Sequence, residues 1–393
     1  MMDKKLNGVI VGAGNFANYL LQRFKGKYGT DLSGEIGDLW LIDPSEKMLA
    51  EKGEEYKIPP EKRLKDKSQL EAKVDFAAVV TPASIHLETT APWLAEGVPT
   101  FLAKPLDADY ENARKLIELA EQHGTINATG SQMLLHPAFV KAMQYINENN
   151  LKITQVQINW NKERGPRIHP IPGITTEEGP HPFGILAVLK QTLPASVFAV
   201  ERRGEIIIDP EKWAKYTDRP DISHKENTMF NGAEYVLAEI SKASTATLVY
   251  KDGAIALVQN DFEDPLKQRT VHIVGELPEG ERFQRSVAIA VDLTDVRPKD
   301  QEHAPYVRNG IRIIQGCTDV RSGMGYVIHD EEVKGADDLG AQLKAFLDYA
   351  RTGKKPKALM NFSDESRAEK LVETVLRSIK ENKELKYADR DFV

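Results

Sequence analysis

Short apolar runs separated by amphipathic stretches set the rhythm of the first third of the chain. Val9-Ile10-Val11, Leu39-Trp40-Leu41-Ile42, Val74 to Val80, Val98 to Ala103 and Thr125 to Gly130 each read as a strand buried on both faces. Helical periods lie between them. The clearest runs from an Asp107 cap to a Gly124 stop, with Tyr110, Ala113, Leu116, Ile117 and Ala120 along one buried face. Strands alternating with helices predict βαβ units, hence a parallel sheet covered on both sides with ligands at the carboxyl ends of its strands. Asp43, Thr81-Pro82 and Lys104-Pro105 all fall at such ends and are expected to line one crevice.

After about residue 130 the period changes. Gln155-Val156-Gln157-Ile158-Asn159-Trp160 alternates as a half-exposed strand does, and Thr245 to Tyr250, Asp252-Gly253 and Ala254 to Gln259 read as a hairpin. Further strand-like runs are Val197 to Glu201, Thr270 to Val274 and Arg282 to Ala290. Two amphipathic helices follow, one marked by Leu339, Leu343, Phe346 and Leu347, the other by Leu371, Val372, Val375, Leu376 and Ile379. The expected fold is α/β, with a doubly wound parallel sheet of Rossmann type over residues 1–130. Residues 131–393 are expected to form an α+β domain with a largely antiparallel open sheet, for substrate binding and oligomerisation. A half-apolar sheet face suits a symmetric partner, so a homodimer or homotetramer is expected.

The first strand runs directly into Gly12-Ala13-Gly14-Asn15-Phe16-Ala17. Gly12 allows the tight turn, Gly14 lets backbone approach phosphate, and Ala17 keeps helix and strand close, while the following helix aims free N–H groups at a pyrophosphate. With Asp43 ending the next strand, where it would accept from ribose hydroxyls, the pattern predicts a dinucleotide site. Asp43 repels a 2′-phosphate and no arginine follows it in Pro44-Ser45-Glu46, so NAD is expected over NADP.

Composition narrows the class further. A 393-residue chain with net charge −7 and no long basic block is no nucleic-acid binder by its electrostatics. Cys317 is the only cysteine, so no internal disulfide forms and a cytoplasmic location is expected. No apolar run reaches the ~20 residues of a membrane span. Its histidines and carboxylates have no metal-ligand spacing, so no metal is expected.

G-A-G-N-F-A, A-V-V-T-P-A-S-I-H and L-A-E-G-V-P-T-F-L-A-K-P-L, with G-S-Q-M-L-L-H-P and G-A-D-D-L-G-A-Q-L-K-A-F-L-D-Y-A-R-T-G-K-K-P further on, together resemble the glucose–fructose oxidoreductase, inositol dehydrogenase and rhizopine-catabolism (GFO/IDH/MocA) family. The resemblance implies cofactor contacts at Gly12, Gly14, Asn15, Phe16, Ala17, Asp43, Thr81, Pro82, His86, Lys104, Pro105 and Gln132, and a sugar, cyclitol or related polyol as substrate. It implies that Lys104 touches the substrate hydroxyl. Ala103 stands where the family's E-K-P pattern has its glutamate. The family pattern D-x-G-x-H-x-x-D, set on T-T-E-E-G-P-H-P-F-G-I-L, matches at Gly179 and His181, substitutes Glu177 for the first aspartate and meets Gly184 at the last. Pro180 and Pro182 require a helix to begin there.

This set suggests hydride transfer, with His181 as base, Lys104 polarising the oxygen and Glu177 orienting the histidine. Lys162, Arg164, Arg167 and His169 form a basic cluster, of which Arg164, Arg167 and His169 are candidate substrate contacts; a solvated loop is the other reading. Two alternatives remain open at this stage: an NAD-retaining glycoside hydrolase using transient oxidation, and a non-catalytic nucleotide sensor.

Overall fold

Among the described residues, β1 (Leu6–Val11), β2 (Ile36–Ile42), β3 (Arg63–Leu64), β4 (Phe76–Val79), β5 (Thr100–Leu102) and β6 (Asn127–Thr129) pair in parallel in the order β3-β2-β1-β4-β5-β6. This is the order of doubly wound dinucleotide folds. The computed structural model describes residues 5–161, 173–208, 210, 222–230, 233–262, 267–280, 284–294, 309–316, 325–334 and 336–387. Helices α1 (Asn15–Phe24), α2 (Glu46–Glu55), α3 (His86–Ala95) and α4 (Tyr110–His123) lie between these strands in the chain. The two-residue β3 is too short for any periodic signal in the sequence. The α4 cap differs from the expected Asp107: Asp109 accepts the Asn112 N–H at 3.1 Å, and Gly124 closes the helix at φ +60°. Asp107 is buried and accepts instead from the N–H groups of Leu87 and Asp109.

The second sheet follows α5 (Pro137–Glu148). It holds β7 (Lys152–Asn161), β8 (Ser196–Ile208), β9 (Ile222–Phe230), β10 (Ala233–Val249), β11 (Ile255–Asp261), β12 (Gln268–Glu276), β13 (Ser286–Asp292), β14 (Gly310–Gln315), β15 (Tyr326–Glu332) and β16 (Leu385–Lys386). Only β7 and β11 pair in parallel; the other described pairs are antiparallel. The hairpin between β10 and β11 turns at Gly253, φ +84°. Between β7 and β8 lie the four-residue α6 (Ile174–Glu177) and α7 (Pro180–Lys190), with Pro180 at a helix start where its missing N–H costs little.

Burial decides which side of β7 faces inward. Val156, Ile158 and Trp160 are buried, on the side where α5 and α7 pack against the sheet, and Gln155, Gln157 and Asn159 point the other way. Cross-strand register puts Phe198, Thr247, Leu257 and Gln157 in one row of that other face, and Val200, Thr245, Gln259 and Asn159 in another.

Helices α8 (Asp338–Thr352) and α9 (Phe362–Glu381) close the chain. The molecule divides into one unit of residues 1–136 and 337–369 and a second of residues 137–336 and 370–393. The boundary expected at 130/131 therefore lies at 136/137, and α8 returns to the first unit. The reason is packing. Leu339, Leu343, Phe346 and Leu347 share a buried cluster with Leu20, Phe24, Phe76 and Phe101. The Phe346 ring lies 6.0 Å from Phe76, edge-on, and 5.8 Å from Phe101. Asp337 caps α8 through the Gly340 N–H and is paired with the buried Arg23 of α1.

Candidate functional site

In the first unit the chain leaves β1 through Gly12 at φ +100°, where a Cβ would lie 3.0 Å from the Val80 backbone, so glycine is required. Nothing stands within 4 Å of a Cβ placed on Gly14. That glycine is the N-cap of α1, and no side chain caps it. The open space and the uncapped N–H groups fit a pyrophosphate, and Ala17, fully buried, lets α1 sit close to β1. Asn15 and Phe16 are the first two residues of α1.

Asp43 organises this turn from the end of β2. One carboxylate oxygen accepts the Ala13 N–H at 2.7 Å and the other accepts the Ser45 N–H at 2.8 Å. Ser45, not Asp43, caps α2, through the Met48 N–H. A carboxylate offers about four acceptor sites, so two sites stay available for ribose hydroxyls.

At the ends of β4 and β5, His86 joins Thr81 and Pro105. Its Nε2 lies 2.9 Å from the Thr81 carbonyl oxygen and its Nδ1 lies 2.9 Å from that of Pro105. Burial lowers the His86 pKa, outweighing the carbonyls and Asp107, which favour the charged ring. Pro82 and Lys104 flank these contacts in the chain, and Gln132 opens the short turn after β6. The sequence-derived cofactor residues thus gather at one edge of one sheet.

Two groups beside Lys104 escaped the sequence reading. Glu365 and Glu369, one turn apart on α9, are buried, and Glu369 accepts the Leu106 N–H at 2.8 Å. Burial pushes Glu369 up to about 7 and Glu365 well above the usual carboxylate range, while the Lys104 charge acts in the opposite direction on both. They continue the apolar stripe of Leu371, Val372 and Val375 backwards at helical spacing, a position that does not by itself tell a buried glutamate from a surface one.

His181 stands in the second unit, as the second residue of α7. It is 7% exposed and stacks on Trp160 at 5.4 Å between ring centroids. The Trp160 indole donates to Glu178 Oε2 at 3.1 Å, and the Arg269 guanidinium lies 5.1 Å from the Trp160 ring. Glu178 is thus the carboxylate described beside this group, one residue after Glu177, which ends α6 and whose side chain is outside the described residues. Lys162, Arg164, Arg167, His169 and Cys317 also lie outside them. Among the described residues no group of histidine, cysteine and carboxylate side chains could hold a metal ion, and no helix is long and apolar enough to cross a membrane.

Comparison with known proteins places these features. Residues 6–131 match the GFO/IDH/MocA family model, described as an oxidoreductase family with an NAD-binding Rossmann fold. No curated protein matches the sequence. Among solved structures, UDP-N-acetylglucosamine 3-dehydrogenase GnnA from Acidithiobacillus ferrooxidans is similar at 17% identity and TM-score 0.70, covering 96% of this chain and 98% of its own. Aldose-aldose oxidoreductase from Caulobacter crescentus, complexed with glycerol, gives 16% identity and TM-score 0.68 over 98% of this chain and 100% of its own. A putative myo-inositol dehydrogenase from Sinorhizobium meliloti gives 15% and 0.66 over 98% and 100%. At these identities the likeness establishes the fold over nearly the whole chain.

Proposed function

We propose that this chain, an oxidoreductase whose residues 6–131 belong to the NAD-binding Rossmann domain of the GFO/IDH/MocA family, transfers a hydride between NAD and a secondary alcohol carbon of a sugar, cyclitol or related polyol. The observation that carries the reading is the placement, on one edge of one sheet, of the Asp43-braced glycine turn and of Lys104. The solved structures of a UDP-N-acetylglucosamine 3-dehydrogenase and a putative myo-inositol dehydrogenase, similar to this chain, support the substrate class.

NAD, when bound, supplies the hydride acceptor at its nicotinamide. The protein does the rest. Gly12, Gly14 and the first turn of α1 hold the pyrophosphate, and the free acceptor sites of Asp43 take the ribose hydroxyls. Thr81, Pro82, Pro105 and Gln132 hold the other half of the cofactor, with the His86 ring lying between the Thr81 and Pro105 carbonyls. The Lys104 ammonium stabilises the alkoxide that develops as hydride leaves, and His181 takes the hydroxyl proton, with Glu177 orienting it. Initial rates over a polyol panel with NAD test the reading. Turnover with exchangeable NAD supports it, and NAD binding without turnover on any polyol overturns it.

Cofactor choice follows from Asp43. With both carboxylate oxygens anchored to backbone N–H groups, the charge cannot swing away from a 2′-phosphate. NAD is expected to bind at least ~10-fold more tightly than NADP, or about 1.4 kcal/mol. Fluorescence titration with both cofactors checks it, and equal affinities would refute it.

Self-association follows from the open face of the second sheet, where Phe198, Val200, Val249 and Ile255 are exposed on register-related rows. An apolar patch of this kind is covered in a homodimer or homotetramer. Light scattering at micromolar concentration is expected to give a mass of two or four chains, and Phe198→Glu to reduce it to one. A monomeric wild type would remove the proposal.

A further inference from the structure

Glu365 has no solvent exposure, and neither of its carboxylate oxygens has a hydrogen-bond partner. It lies against Gly130, the residue after β6, so closely that a Cβ there would stand 2.6 Å from Oε2. Glu369, one helical turn on, spends an oxygen on the Leu106 N–H, two residues past Lys104. The charged groups acting on this pair are Lys104 and Asp107, from the segment after β5, and Asp364 from their own helix. Buried His86, whose pKa desolvation lowers, faces the same segment through the Pro105 and Leu106 carbonyls.

The charges do not balance if both glutamates ionise. Two buried carboxylates with Asp107 beside them would face Lys104, since Lys355 is paired with Asp364, and an unpaired buried charge is among the costliest states in a protein. Of the two, Glu369 has a donor and Glu365 has none. We propose that Glu365 and Glu369 hold one proton between them at pH 8, Glu365 as the neutral acid and Glu369 as the ionised counter-charge that positions the Lys104 ammonium. They are positioning residues, acting on the substrate oxygen only through Lys104. The pair supplies from α9 a carboxylate beside Lys104, whose preceding residue, Ala103, has none. This role rests on the reading of Lys104 given above, but the protonation state does not.

Infrared difference spectroscopy reads the proton directly, on the full chain and without substrate. At pH 8 the wild type is expected to show the carbonyl stretch of one buried protonated carboxyl, absent in Glu365→Gln. In Lys104→Met, with the cation gone, Glu369 keeps its proton as well and the band about doubles. In kinetics, Glu369→Gln is expected to lower kcat ~10-fold with little change in NAD affinity, and Glu369→Asp to restore part of it. A wild-type spectrum that Glu365→Gln leaves unchanged overturns the shared proton, whether or not a polyol is turned over. A band that behaves as expected in a protein with no polyol activity overturns the functional reading instead. Should Glu369→Gln fail to fold, the Glu365→Gln and Lys104→Met spectra still decide.

Discussion

Lys104→Ala is expected to leave most NAD affinity in place while lowering turnover by ~10²-fold or more, the loss typical of one electrostatic stabiliser. The separation follows from the fold. In the proposed function the glycine turn, the N-terminus of α1 and Asp43 hold the far end of the cofactor from β1 and β2, whereas Lys104 sits after β5. His181→Ala is expected to cost ~10²–10⁴-fold and to remove the acidic limb of the pH–rate profile for alcohol oxidation, because the base acts only when unprotonated. Glu177→Gln is milder, since the base survives. NAD titration and initial rates measure both effects. If His181→Ala keeps full activity with an unchanged pH profile, its stacking on Trp160 is structural, and the base lies elsewhere.

Phe346→Ala is expected to destabilise the first unit by about 3–5 kcal/mol, as for other large-to-alanine core changes. Its ring is fully buried against Phe76 and Phe101. Urea unfolding with and without NAD measures it. A ligand that binds only the folded state raises the transition of the unit that holds it, so the NAD-sensitive transition is the one that should fall in the variant. A wild-type midpoint for that transition would mean that α8 does not stabilise the first unit.

The glycine turn and the strand-end position of Lys104 were legible along the chain, because a turn that needs φ +100° and a strand that must be apolar on both faces are local demands, written in neighbouring residues. The substrate contact of Lys104, by contrast, rested on the family resemblance. The alternation at Val156, Ile158 and Trp160 likewise announced a strand with one buried side. It did not say what would cover that side, and burial in the folded chain was needed to assign Gln155, Gln157 and Asn159 to the open face. The stripe of Leu339, Leu343, Phe346 and Leu347 announced a buried helix face in the same way. Its partner, a cluster more than 200 residues earlier in the chain, did not follow from spacing.

The sequence by itself determined the parallel sheet of the first unit, its glycine turn and the acidic residue that braces it, since each depends on residues close together in the chain. Only the tertiary structure decided that α8 and the start of α9 join that sheet, that Glu178 is the carboxylate bonded to Trp160, and that two glutamates lie buried beside Lys104. Helical periodicity records that a face is hidden from water but not which surface hides it. A glutamate on such a stripe is indistinguishable from a surface charge until the chain that desolvates it is in place.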